Sequence, residues 1–258
     1  MNYVHCSIEK ETATIRLNRP HAMNALNMEM MQELSCCLKE VSRDDDVNIV
    51  VMTGEGPVFS AGGDIKEMMS AMDEAQFHTV MDTITDIALY FYSMPKLTIA
   101  AIHGAAAGLG LSIALAADFV LCETDSKLAM NFIGIGLIPD GGGHFMLERR
   151  LGAVKAKKVI WDGKVISGAE AAEMGLVDRS VSPDAVQQEV AYLLKELQQK
   201  PIQAMIKTKK IMADLHRPQL LKTLELEKQG QQKMRESTDH QEGVRAFLEK
   251  RKPVFNQQ

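Results

Sequence analysis

Three glycine-bearing stretches hold the residues of this 258-residue chain best placed to do chemistry. In "GPVFSAGGD" (56–64) the paired glycines before Asp64 let the backbone approach a ligand closely. In "AGLGLSIALAADF" (107–119) a glycine turn opens a small-residue helix, whose N-terminal N–H groups and dipole suit a developing negative charge. The same stretch reads equally as a tightly packed core helix, and Ser112 within it is a poor base unless a neighbour activates it. In "GLIPDGGG" (136–143) Asp140 stands between Pro139 and three glycines. It can cap the helix that follows, or it can move protons. A free aspartate has a pKa of about 3.9, low for a base near neutrality, but an apolar wall of Phe132, Ile133 and Ile135 would raise it. His144 is a further titratable group here, more in keeping with a helix surface.

These stretches must be held by ordinary elements. Val4, Cys6 and Ile8, then Ala13, Ile15 and Leu17, alternate with polar residues about an "EKET" turn and predict a hairpin. Leu26, Met30, Leu34, Leu38 and Val41 fall at helical spacing. "NIVVMTG" and "KLTIAAIHG" read as buried strands, residues 65–94 as an amphipathic helix ended by Pro95, and "DFVLCET" and "KLAMNF" as short strands. Ser167 can cap "GAEAAEM". Beyond Pro139 the chain turns mostly helical, with Pro201 and Pro218 separating "IQAMIKTKKIMADL" from its neighbours. The organisation is mixed α/β up to about residue 194 and helical from 195 to 258.

Composition removes several classes. The charge of −5 (29 basic against 34 acidic residues) and the short "KTKK" run argue against a nucleic-acid surface. The apolar run Leu97–Leu121 is broken by His103, three glycines and Asp118, so no membrane span is expected. The four cysteines show no metal-ligand spacing and fit free thiols in a reducing, cytoplasmic compartment. No glycine run ends in Lys-Ser or Lys-Thr, which excludes a nucleotide P-loop.

"LNRPHAMNAL" (17–26), "GPVFSAGGDIKEM" (56–68), "KLTIAAIHGAAAGLG" (96–110), "GLIPDGGG" (136–143), "ISGAEAAEMGLVD" (166–178) and "EGVRAFLEKRKPVF" (242–255) occur in the order and spacing of the enoyl-CoA hydratase/isomerase, or crotonase, family, which the chain resembles nearly end to end. The resemblance implies an α/β fold, a crotonase-like spiral of strand-strand-helix turns over 1–194. A C-terminal helical region over 195–258 would serve oligomerisation and pocket cover. It implies acyl-CoA substrates, no cofactor beyond the CoA of the substrate, no metal, and a homotrimer or dimer of trimers.

By the same resemblance the N–H groups of Gly63 and Leu109 form an oxyanion hole for the thioester enolate. His21, Ala22, Ala25, Ala61, Asp64, Ile65, Lys66, Phe132, Phe247 and Lys250 occupy substrate- or CoA-binding positions. Family hydratases use two glutamates; here those positions hold Ser112 and Phe132. Asp140 stands where some family isomerases carry their acid. Isomerisation of 3-enoyl-CoA to 2-enoyl-CoA by Asp140 is therefore the first expectation. Hydration with water held by Ser112 and Asp140 is the second, and a non-catalytic CoA-binding scaffold the third.

Overall fold

The computed structural model describes residues 2–65 and 73–256. In β2 (Thr12–Leu17) the alternating Ala13, Ile15 and Leu17 are fully buried. β1 (Val4–Glu9) pairs with it antiparallel, Cys6 opposite Ile15. Cys6 and Ile8 remain exposed, because β1 is the edge of its sheet. α1 (Met28–Arg43) begins two residues later than the apolar spacing suggests. Asn27 caps it, its Oδ1 accepting from Met30 N at 3.1 Å. Asn24 adopts φ 51° outside the helix.

β3 (Ile49–Gly54) and β4 (Leu97–Ile102) are buried along their whole length, which explains their unbroken apolar sequences. Val50, Met52, Ala100 and Ile102 face the main core, shared with α1 and α2 (Glu74–Ser93). Ile49, Val51, Leu97 and Ile99 face a second core under the C-terminal helices. The larger sheet runs β1-β2-β3-β4-β6-β9, with β6 at Phe119–Glu123 and β9 at Arg179–Val181. The smaller runs β5-β7-β8, at Ala105–Ala107, Lys127–Ala129 and Val165–Ser167. Pairing is parallel except for β1/β2 and β7/β8.

The chain winds from one sheet to the other. β4 leads to β5 and then α3 (Leu109–Leu115); β6 leads to β7 and then α4 (Gly143–Asp162). After β3 the second sheet receives only a single bridge, Ser60 to Ala106. This is the strand-strand-helix spiral of the crotonase fold. α5 (Gly168–Glu173) is capped by Ser167 in a reciprocal box with Glu170. The three-residue strands β5, β8 and β9 are too short to show alternation, and the sequence reading passes over them.

The helical portion comprises α6 (Val186–Gln198), α7 (Ile202–Arg235) and α8 (Thr238–Leu248). Pro218 does not divide it as expected: α7 runs through that residue as one 34-residue helix. Pro218 is exposed, so water can satisfy the carbonyl that loses its N–H partner. α7 is tied to the larger sheet by Lys209, whose buried Nζ lies 2.8 Å from Asp118 Oδ2. The same carboxylate oxygen accepts from Thr98 N. Asp118, the aspartate after α3, thus joins β4 to the helical region. Among the described residues no helix is long and apolar enough to cross a membrane.

Candidate active site

Backbone zipping brings the glycine-bearing loops together. Leu26 N donates to Gly62 O at 2.7 Å, Asp64 N to Leu26 O at 3.1 Å, and Ala61 N to Met23 O at 2.9 Å. On the other side Ala107 N donates to Ser60 O and Ser60 N to Ala105 O, each at 3.0 Å. Asn24, missed in the sequence reading, locks this arrangement from a fully buried position. Its Nδ2 donates to Glu55 O and Val58 O, and its Oδ1 accepts from Arg19 N. Arg19 also reaches Ala25 O at 3.0 Å and Asp64 Oδ2 at 2.6 Å. "RPHAMNAL" therefore acts as a brace for "AGGD".

In a parallel bridge the residue centred opposite its partner lends its own N–H to neither side of that pair. Gly63 is so placed against Leu26. Leu109 is the first residue of α3, where a helix has no partner for its N–H. Among the described residues neither N–H has a hydrogen-bond partner. The two segments touch: a Cβ built on Gly62 would stand 2.6 Å from Ala107 O and 3.5 Å from Leu109 N. Gly62 also has φ 93°, which L side chains rarely adopt. Gly62→Ala should therefore destabilise the fold by about 2 kcal/mol and displace the Gly63 amide. Denaturant unfolding alongside a turnover assay checks this, with turnover falling even where the variant remains folded.

Both amides border a cavity of about 360 Å³. α2 supplies Phe77, Met81 and Ile84 to its wall, and the helical region supplies Gln231, Arg235 and Phe247. Of the residues expected from sequence, Ala61, Gly63, Ile65, Leu109, Phe132, Asp140 and Phe247 line it. His21, Ala22, Ala25, Asp64 and Lys250 do not; His21 and Lys250 are exposed, and Asp64 faces Arg19. Lys66 lies outside the described residues. Ser112 is fully buried away from the cavity, its hydroxyl donating towards Gly108 O at 3.4 Å and facing Met130 Sδ. A Cβ on Gly143 would meet its Oγ at 2.8 Å, so helix packing fills the space a reacting water would need. Ile133 is exposed and off the wall, whereas Ile135 is on it.

Among the described residues Asp140 is the one carboxyl group on the cavity wall. It does not cap α4, as one reading of the sequence expected; Gly142 occupies the cap position without a side-chain bond. The capping acceptor arrives from α7 instead. Glu227, buried, accepts from Gly142 N at 2.7 Å, His144 N at 3.0 Å and His144 Nδ1 at 2.8 Å. A carboxylate can only accept, so Nδ1 is the protonated ring nitrogen. His144 is thereby committed to Glu227.

Gln231, one turn further along α7, donates to Ile138 O at 2.6 Å and to Asp140 Oδ2 at 3.3 Å. Asp140 Oδ1 is buried with no hydrogen-bond partner. The Leu109 side chain lies over this loop: a Cβ on Gly141, at φ 63°, would stand 2.6 Å from Leu109 Cδ1. Burial, and next the negative charge of Glu227, push the Asp140 carboxyl well above its ordinary 3.8, against a small opposing effect from its own backbone N–H. The site thus combines two unpartnered N–H groups with one carboxyl of raised proton affinity in an apolar chamber.

The chain matches the family model described as enoyl-CoA hydratase/isomerase over residues 7–258. It is 51% identical to YhaR of Bacillus subtilis (strain 168), named as an enoyl-CoA hydratase/isomerase, over 99% of both chains. It is 32% identical to the 1,2-epoxyphenylacetyl-CoA isomerase of Escherichia coli (strain K12), over 99% of this chain and 98% of that one. The crystal structure of an enoyl-CoA hydratase from Mycobacterium avium subsp. paratuberculosis K-10 superposes with a TM-score of 0.89 at 27% identity, covering 99% of each. An end-to-end match of sequence and of fold leaves one assignment: the chain belongs to the enoyl-CoA hydratase/isomerase family, enzymes of the crotonase superfamily.

Proposed function

We propose that the chain isomerises an enoyl-CoA, moving the double bond from the 3- to the 2-position. The observation that carries this reading is the single buried carboxyl on the described cavity wall, with one oxygen unpartnered. The Asp140 carboxylate takes the proton from carbon α of a 3-enoyl thioester. The electron pair delocalises over the diene and the thioester oxygen, which accepts hydrogen bonds from Gly63 and Leu109 N–H. Asp140, now the acid, returns the proton to carbon γ. One group thus serves as base and then acid, with no net change in its own protonation. Backbone donors fixed in advance stabilise the oxyanion by roughly 3–4 kcal/mol each.

Hydration needs a second group to hold and activate water. Phe132 and the packed Ser112 supply none, and Phe132 with Ile84 and Met81 makes the chamber apolar. The CoA moiety would leave past Ala61, Ile65 and Phe247. Exposed Val154, Trp161 and Val165 support burial between subunits, in keeping with a trimer or a dimer of trimers, and four free thiols fit a reducing cytoplasm.

Purified protein incubated separately with 3-enoyl-CoA and 2-enoyl-CoA should convert the first to the second, with growth of conjugated-thioester absorbance. It should leave the second essentially unhydrated. Rapid 3-hydroxyacyl-CoA formation from the 2-enoyl substrate would replace this reading with the hydratase, and binding without turnover of either would replace it with a scaffold.

A further inference from the structure

At the face of the molecule where the edge strand β1 meets α1, two thiols come together. Glu33 on α1 accepts the backbone N–H groups of Tyr3 at 2.6 Å and Val4 at 2.9 Å, which pins the start of β1 to that helix. Cys37 lies one helical turn after Glu33, on the same face. Cys6 lies two residues after Val4, on the same face of its strand, and opposite Ile15, whose side chain is buried in the core that α1 covers. The two spacings set Cys6 and Cys37 on the facing sides of β1 and α1, near enough that each thiol is the largest influence on the other's proton affinity. Cys6 is exposed and Cys37 half-buried. Cys36 points elsewhere, its Sγ 3.6 Å from Glu40 Oε1.

We propose that Cys6 and Cys37 form a reversible intramolecular disulfide on exposure to small-molecule disulfides, a redox modification site distinct from the acyl-CoA chamber. The Cys6 thiolate attacks one sulfur of the small disulfide and expels one small thiolate. Cys37 then loses its proton, attacks the Cys6 sulfur of the mixed disulfide and expels the second. Two protein thiols are oxidised and one small disulfide is reduced to two thiols. The order of attack follows from the surroundings. Cys6 is open to solvent and its proton affinity is lowered by the neighbouring Cys37 thiol, whereas the neighbouring Cys6 and burial push the Cys37 thiol up. The exposed member is therefore the nucleophile and the half-buried member the resolving thiol. The closed loop spans β2 and the first half of α1, including Leu26 and Met31 of the cavity wall. Cross-linking restrains the edge strand, so the oxidised protein should melt at higher temperature.

The test is full-length reduced protein incubated with oxidised glutathione, followed by peptide mass spectrometry without reduction. Wild type and Cys36→Ser should both lose two hydrogens and yield a Cys6–Cys37 cross-link. The melting temperature should rise and return on adding dithiothreitol. Cys37→Ser should stop at a glutathione adduct on Cys6, and Cys6→Ser should leave Cys37 unmodified. A lasting glutathione adduct on wild-type Cys6, a cross-link through Cys36, or thiols untouched by the oxidant would each overturn the proposal.

Discussion

Asp140→Asn should lower the isomerisation rate by about a thousandfold while raising the protein's melting temperature near neutral pH. The rate follows from the loss of the only group on the described wall able to take a proton from carbon α and return it; positioned acid–base groups contribute about 10²–10⁴-fold. Asparagine keeps the size and the Gln231 contact, so pocket and oxyanion donors survive and acyl-CoA should still bind. The stability gain follows from linkage. Burial and Glu227 hold the folded carboxyl's pKa well above its ordinary 3.8, so the fold favours the protonated form. That contribution is fully present below the unfolded value and is lost as the pH rises towards and through the folded one. Asparagine is neutral throughout and is spared that loss. Its melting temperature should exceed that of wild type by about 2–4 °C for each kcal/mol relieved. The gap should close on acidification towards the unfolded carboxyl's range. Turnover retained within about tenfold of wild type would remove Asp140 from the chemistry. A variant that melts lower at neutral pH would contradict the burial argument instead.

What the sequence makes legible here is local. "AGGD", "AAGLG" and "PDGGG" are visible because glycines must stand where backbones nearly touch, and the structure brings Gly63, Leu109 and Asp140 to one cavity. The buried strands are visible because both faces are covered and their sequences are apolar throughout. What escapes is long-range polar pairing. Glu227 lies 85 residues from Gly142, and Gln231 lies 91 from Asp140, on a helix whose charges look like a solvated surface. Helical spacing from Leu220 and Leu224 does set these two on the buried face, unlike the exposed Glu225 and Gln229, but their polar side chains break the apolar stripe that would mark it. Asn24 is hidden for a related reason: its work is to bond carbonyls at 55 and 58, which no local pattern encodes. Ser112 errs the other way. The resemblance sets it at a family catalytic position, but the glycines at 141 and 143 let α4 close upon it, and its hydroxyl is spent on packing.

Glu227→Gln should shift the acid limb of the kcat/KM profile to lower pH and reduce stability by about 2 kcal/mol. Isomerisation requires ionised Asp140, so its rate falls as the pH drops through that group's raised pKa. The Glu227 charge is the second cause of the raise, after burial. Replacing it with a neutral amide removes the repulsion and lets Asp140 ionise at lower pH. The direction is therefore fixed even though the residue never meets the substrate, and Glu227 is a positioning residue. The stability loss has a separate origin. The carboxylate accepts two backbone N–H groups at the start of α4 and one from the His144 ring, and it answers the positive end of the helix dipole. An amide keeps one accepting oxygen but turns an NH2 towards donors, leaving at least one buried N–H unpaired. The two readouts can be separated by His144→Gln, which disturbs the cap from its exposed side and keeps the Glu227 charge. That variant should lose some stability and leave the acid limb in place. If Glu227→Gln weakens folding while its acid limb stays where wild type has it, burial alone sets the proton affinity of Asp140, and the long reach of α7 into this loop is structural only.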